Sequence, residues 1–133
     1  MNIALIAHDQ KKELMAQFCI AYCGILSKHH LISTYQTAKY ITDATGLEIE
    51  NILMSKQGGI QQLAARASYD EIDVLLFFHD TDPVSEPTED EIGLLCACDQ
   101  HNIPVATNLA TAEIVATALD HGELDWRENI RQN

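Results

Sequence analysis

Positive charge is scarce in this chain. Lys and Arg together number 8 against 20 Asp and Glu, a formal net charge of −12. Such a surface repels duplex DNA, RNA and anionic membranes, whose binding depends on basic side chains neutralising phosphates. Neither nucleic acid nor a membrane is therefore an expected partner. Long apolar runs are also missing, and none approaches the roughly 18–20 residues that span a bilayer. The opening Met1-Asn2-Ile3-Ala4-Leu5-Ile6 has no basic leader and reads directly as a core strand, so no signal peptide is expected and the cytoplasm is the expected compartment. Cysteine is sparse and unevenly spaced at Cys19, Cys23, Cys96 and Cys98. That pattern is no disulfide scaffold and no zinc knuckle, so buried thiols and no metal are expected.

What remains is an ordinary core-forming chain. With 133 residues, 47% of them hydrophobic, it suffices for one domain over residues 1–133. Short aliphatic runs alternate with helical periods. Strands are predicted at Asn2–Ala7, Leu31–Thr34, Glu48–Met54, Asp73–Phe78 and Ile103–Ala106. The run Asp73-Val74-Leu75-Leu76-Phe77-Phe78 is apolar on both faces, as in a central parallel strand. Helices are predicted over Lys11–Leu26, Thr37–Ala44, Ile60–Tyr69, a segment opening at Thr88, and Ala110–Leu119. In a helix, Cys19 and Cys23 would share one face. Thr88 with Glu91 three residues on is a capping-box signature. The polar tail after Gly122 carries no clear pattern.

Five strand–helix alternations predict a three-layer α/β domain with a mostly parallel sheet. Ligands of such sheets bind beyond the carboxyl ends of the strands. The loops to inspect are thus 8–12, 34–39, 55–59, 79–87 and 107–111. Lys11, Lys12, Lys39 and Lys56 fall in or beside the first three, with hydroxyls at Thr34, Thr37 and Ser55 and glycines at Gly58 and Gly59. Lysine, hydroxyls and free backbone N–H groups near a helix start are the ingredients of a phosphate cradle. The same residues also serve as ordinary solvent-exposed loops and helix caps. His8-Asp9 closes the first strand, where an imidazole and a carboxylate can orient a substrate or move protons, or pack beneath and cap the next helix. The acidic stretch around Asp80, Asp82, Glu86, Glu89, Asp90 and Glu91 fits no EF-hand spacing and reads as a solvated loop before a capped helix. No serine stands in a nucleophile elbow.

Several motifs together resemble the methylglyoxal synthase family. They are Ala4-Leu5-Ile6-Ala7-His8-Asp9 with Lys12, Asp43-Ala44-Thr45-Gly46-Leu47, Ser55, Gly58-Gly59 with Gln61-Gln62, and Ile72-Asp73-Val74-Leu75 with Phe77-Phe78. The segment Ile103-Pro104-Val105-Ala106-Thr107-Asn108 with Ala110-Thr111-Ala112 completes the set. The resemblance implies a Rossmann-like domain assembled as a homohexamer. It also implies a cofactor-free reaction that takes phosphate from dihydroxyacetone phosphate to leave methylglyoxal. Such a reaction needs a carboxylate base, a donor for the developing enediolate oxygen, and a cationic pocket for phosphate. His8, Asp9, Lys12, Thr34, Thr37, Ser55, Gly58 and Gly59 match the family's phosphate- and substrate-holding positions. The family's catalytic Asp, however, aligns with Ile60, and its catalytic His with Pro87, which lacks a backbone donor. Its glycine-rich phosphate loop is Thr34-Tyr35-Gln36-Thr37-Ala38 here. Arg127 and Arg131 are only near neighbours in sequence of its substrate-contacting Arg. Three expectations follow. The first is a noncatalytic or altered member that binds a small phosphorylated metabolite. The second is an active synthase using Asp9 or Asp90 as base. The third is an interaction protein whose pocket is filled by Tyr35, Gln36 or Ile60.

Overall fold

The computed structural model describes residues 1–82 and 86–132, with side chains described as far as Ile130. Five strands form one parallel sheet in the order β3-β2-β1-β4-β5: β1 (Asn2–Ala7), β2 (His30–Thr34), β3 (Ile49–Ile52), β4 (Val74–Phe78) and β5 (Val105–Ala106). The registers run Ile3 to Leu31 and Ile3 to Val74, so β1 lies at the centre of the sheet.

Alternation along the central strands divides the core in two. Ile3, Leu5, Val74, Leu76 and Phe78 face one side. There they pack against α1 (Lys12–Ala21), α2 (Cys23–Leu26), α3 (Tyr35–Thr45) and α6 (Leu109–Asp120). Ala4, Ile6, Leu75 and Phe77 face α4 (Gly59–Ser68) and α5 (Glu89–Gln100). Ile60, Leu63 and Ala67 are the buried stripe of α4. Their spacing of three and four places them on one helical face. Each large side chain so buried contributes roughly 2 kcal/mol. This is the expected three-layer fold.

The boundaries depart from expectation in four places. The long helix predicted over Lys11–Leu26 breaks at Tyr22, preceded by a 3-10 turn at Asp9–Lys11. The break places Cys19 and Cys23 on separate helices, so they share no single helical face, and it carries Leu26 into the core with 0% exposure. β3 stops at Ile52, because the chain turns through Met54–Gly59. β5 is only two residues long, as Pro104 has no N–H for the ladder, although its carbonyl still accepts from Leu75 N. The unpatterned tail forms α7 (Trp126–Gln132).

A buried ion pair anchors α7. Arg127 donates through Nε to Asp73 Oδ1 at 3.3 Å and through Nη1 to Asn102 O at 2.7 Å. Further bonds reach His101 O and Ile72 O, both at 3.3 Å. Asp73 Oδ2 also accepts from Asn2 N at 2.7 Å. This cluster lies where β1 and β4 begin, at the opposite edge of the sheet from the strand ends where ligands bind. Arg127 therefore does not reach that edge, and the side chain of Arg131 lies outside the described residues.

The capping box on α5 is present in full. Thr88 Oγ1 accepts from Glu91 N, and Glu91 Oε1 accepts from Thr88 N at 2.9 Å. The expectation of buried thiols holds for Cys19 and Cys98 but not for Cys96, which is exposed because residues two apart on α5 point in different directions.

Candidate functional site

A cavity of about 490 Å³ opens beyond the carboxyl ends of the strands. Four loops line it. The β1–α1 segment brings Ala7, His8, Asp9 and Lys12, and the start of α3 brings Gln36. The β3–α4 turn brings Met54, Ser55, Lys56 and Gln57, and Asp80 follows β4. In this strand order the connection after β1 runs to β2 on one side and the connection after β4 runs to β5 on the other, and a parallel sheet leaves a crevice for ligands where adjacent connections diverge.

Lys12 is the anchored cation. Its Nζ bonds Ala7 O and Asp9 Oδ1, both at 2.9 Å, and its side chain is 14% exposed while that of Asp9 is 92% exposed. The Lys12 ammonium, followed by Lys56, holds the Asp9 carboxyl below its ordinary value. Asp9 therefore stays ionised at neutral pH and is a correspondingly weak proton acceptor.

His8 turns out to be fully engaged by the protein. Its Nδ1 accepts from Asp80 N at 2.9 Å, so the neutral ring carries its proton on Nε2, which donates to Glu91 Oε2 at 2.6 Å. Burial pushes the Glu91 carboxyl up, but the Thr88 N–H bond and the His8 bond outweigh it, and the net effect is a lowered pKa. Neither ring nitrogen is left for a ligand, which makes His8 a positioning residue tying the Asp80 loop and the α5 cap to the cavity.

The hydroxyls expected to hold phosphate divide. Ser55 lines the cavity, but Thr34 and Thr37 are buried and do not. Thr37 Oγ1 bonds Ala7 O at 3.3 Å, and Thr34 Oγ1 bonds Thr37 Oγ1 at 3.5 Å, so both serve the β1–β2 edge. Gly58 and Gly59 act through backbone shape. Gly58 has φ +100°, and a Cβ on Gly59 would lie 2.1 Å from Leu53 O. Only glycine permits so tight a turn, and the turn projects Ser55–Gln57 over the cavity. Lys11 and Lys39 do not line it, whereas Lys56 does. The loop 107–111 contributes no lining residue.

Asp90 sits elsewhere. It accepts from Gln61 Nε2 at 3.1 Å and lines a separate hollow between α4 and α5. Ile60 is 4% exposed within the apolar core below α4, and Pro87 is exposed. Tyr35 is exposed, and Gln36 is the one of the three suggested plugs that lines the cavity, which nonetheless remains open. Lys56 and Asp80 were singled out for their loops without a family match, whereas the lining residues Met54 and Gln57 were not singled out at all. For Met54 and Gln57 the available signal was position alone, in the turn that follows β3.

The family model described as an MGS-like domain matches residues 15–107. The chain belongs to the methylglyoxal synthase family. It is 52% identical over 131 residues to the methylglyoxal synthase of Caldicellulosiruptor saccharolyticus, an alignment covering 98% of this chain and 92% of that one. It is 46% identical over 132 residues to the methylglyoxal synthase of Oceanobacillus iheyensis, covering 99% and 94%. The crystal structure of the methylglyoxal synthase from Elizabethkingia anophelis superposes with a TM-score of 0.79 at 31% identity, covering 86% of this chain and 76% of that one. Within a methylglyoxal synthase fold, then, the cavity occupies the ligand edge of the sheet, and the residues expected there are partly present and partly redirected.

Proposed function

We propose that this methylglyoxal synthase homologue binds a small phosphorylated metabolite of the dihydroxyacetone phosphate kind and turns it over little or not at all. The observation that carries the reading is an anchored ammonium, Lys12, in an open cavity that Ser55 and Lys56 also line. That arrangement supports phosphate binding. Proton abstraction is poorly served. The position where the family resemblance places its base is Ile60, inside the apolar core. The one acidic side chain beside Lys12, Asp9, has its basicity lowered by that lysine. A well-placed acid or base contributes roughly 10²–10⁴ in rate, so loss of both the Asp and the His should leave turnover several orders of magnitude down.

The second reading is an active synthase, favoured by relatives of that name at 43–52% identity over nearly the whole chain. Asp9 is then the base, because Asp90 opens onto a different hollow. Methylglyoxal and phosphate release from dihydroxyacetone phosphate, measured for the wild type beside Asp9→Asn and Asp90→Asn, decides between the two. Turnover lost in Asp9→Asn establishes the active reading. Binding by calorimetry without product establishes the first.

Cytoplasmic residence and homohexamer assembly are part of the same reading. Relatives of bacterial origin support the first, and the second is what the family resemblance implies. Light scattering of the purified protein tests the hexamer.

A further inference from the structure

One imidazole joins two elements that are distant in sequence. His8 Nδ1 accepts from Asp80 N at 2.9 Å, just past the end of β4, and Nε2 donates to Glu91 Oε2 at 2.6 Å, in the first turn of α5. The backbone of His8 is itself fixed, because its N donates to Phe78 O and its O accepts from Lys11 N, both at 2.9 Å. Phe77 meets the ring edge-to-face, with centroids 5.4 Å apart. The ring thus has a settled place, and what can change is its proton count.

An imidazole takes up its second proton between about pH 8 and pH 5, and both nitrogens are then donors. The bond to Glu91 becomes a full ion pair, whereas Asp80 N–H is left facing another N–H. The surrounding charges allow this exchange. Glu91 faces the ring from α5, and Asp9 and Asp80 line the same cavity from the turns after β1 and β4. Lys12 and Lys56 oppose them, and His79 packs on the same Phe77 ring. Carboxylates outnumber ammonium groups there, and the one in contact is Glu91, so a second proton is accommodated.

We infer that His8 is a pH-dependent clamp: the neutral ring ties the end of β4 to α5, and protonation releases Asp80 N while tightening the hold on Glu91. The release reaches the cavity wall, since Asp80 lines it and its Oδ1 accepts from Gln10 N at 3.0 Å. Freeing Asp80 N loosens that contact between the β4 end and the Asp9–Lys11 turn. The clamp works without a ligand, so its failure would leave the phosphate-binding reading untouched.

Nuclear magnetic resonance of the isotopically labelled full chain tests the clamp. The Cε1 proton of His8 reports the ring's titration, and amide exchange corrected for its intrinsic pH dependence reports the protection of Asp80 N–H. That protection should fall about tenfold or more between about pH 7.5 and pH 5.5, with the ring's own midpoint. Glu91 N–H, which bonds Thr88 Oγ1 at 3.2 Å, should keep its protection. Glu91→Gln removes the facing carboxylate and should move both midpoints to lower pH. His8→Asn offers Asp80 N an oxygen that does not titrate, so its protection should become the same at both pH values. Equal protection of Asp80 N–H at both pH values in the wild type overturns the inference. So does a release that persists in His8→Asn, or one whose midpoint ignores Glu91→Gln.

Discussion

Removing the Arg127 guanidinium tests how the chain closes its fold. In Arg127→Met the aliphatic stem remains, but four hydrogen bonds disappear, to Asp73, Ile72 O, His101 O and Asn102 O. Both partners of the ion pair are 1% exposed, so water cannot freely replace the lost donors. Breaking a buried pair from one side costs about 3–5 kcal/mol. That is a large share of the roughly 5–15 kcal/mol that stabilises a domain, and corresponds to a fall in Tm on the order of 10–20 °C. Urea titration reads the loss directly. The double variant Arg127→Met/Asp73→Asn should be less destabilised than the sum of its single variants, by about 1 kcal/mol or more, since the two residues touch. A single-variant loss below about 1 kcal/mol, or strict additivity, would refute the argument. Because the cluster lies at the edge opposite the cavity, the folded variant should keep the wild-type affinity for dihydroxyacetone phosphate.

Three further outcomes follow from individual contacts. Gly59→Ala should cost on the order of 3 kcal/mol in urea unfolding and disturb the Ser55–Gln57 turn, because its Cβ meets a backbone oxygen that has no easy way to withdraw. Glu91→Gln should destabilise by about 1 kcal/mol near neutral pH; the lowered Glu91 pKa gives stability that is present above its ordinary 4.5 and lost as pH falls through the lower folded value, so wild type and variant should converge in acid unfolding curves below pH 4.5. A gap unchanged down to pH 3 would contradict this. Burial pushes the Cys19 thiol up to about 12 and the Cys98 thiol up to about 11, so alkylation of the native protein at pH 8 should label exposed Cys96 first and leave those two intact until unfolding.

The layered α/β architecture was legible because its signals are local and repeated. Alternating apolar residues in β1 and β4 specify two buried faces, and helical stripes such as Ile60, Leu63 and Ala67 specify what covers them. The α5 start was equally legible, since a capping box is closed within four residues. The tail was not, because α7 is held by partners more than twenty residues away, through one arginine whose burial no local pattern announces. The site shows the same division. Sequence placed His8, Asp9, Lys12 and Ser55 at the strand ends, and the structure brings all four to one cavity.

What each of these groups does was decided in three dimensions. Nothing in the sequence around His8 shows that Glu91 and the Asp80 N–H occupy both its ring nitrogens, since Glu91 is 83 residues away and Asp80 is 72. Nor does it show that the hydroxyls of Thr34 and Thr37 turn toward β1, or that Asp90 opens onto another hollow. Local spacing fixes backbone geometry through short-range sterics and hydrogen bonding, so it determined the elements and their faces. The direction of a polar side chain depends on which distant donor or acceptor folding delivers to it, and only the tertiary structure supplies that partner.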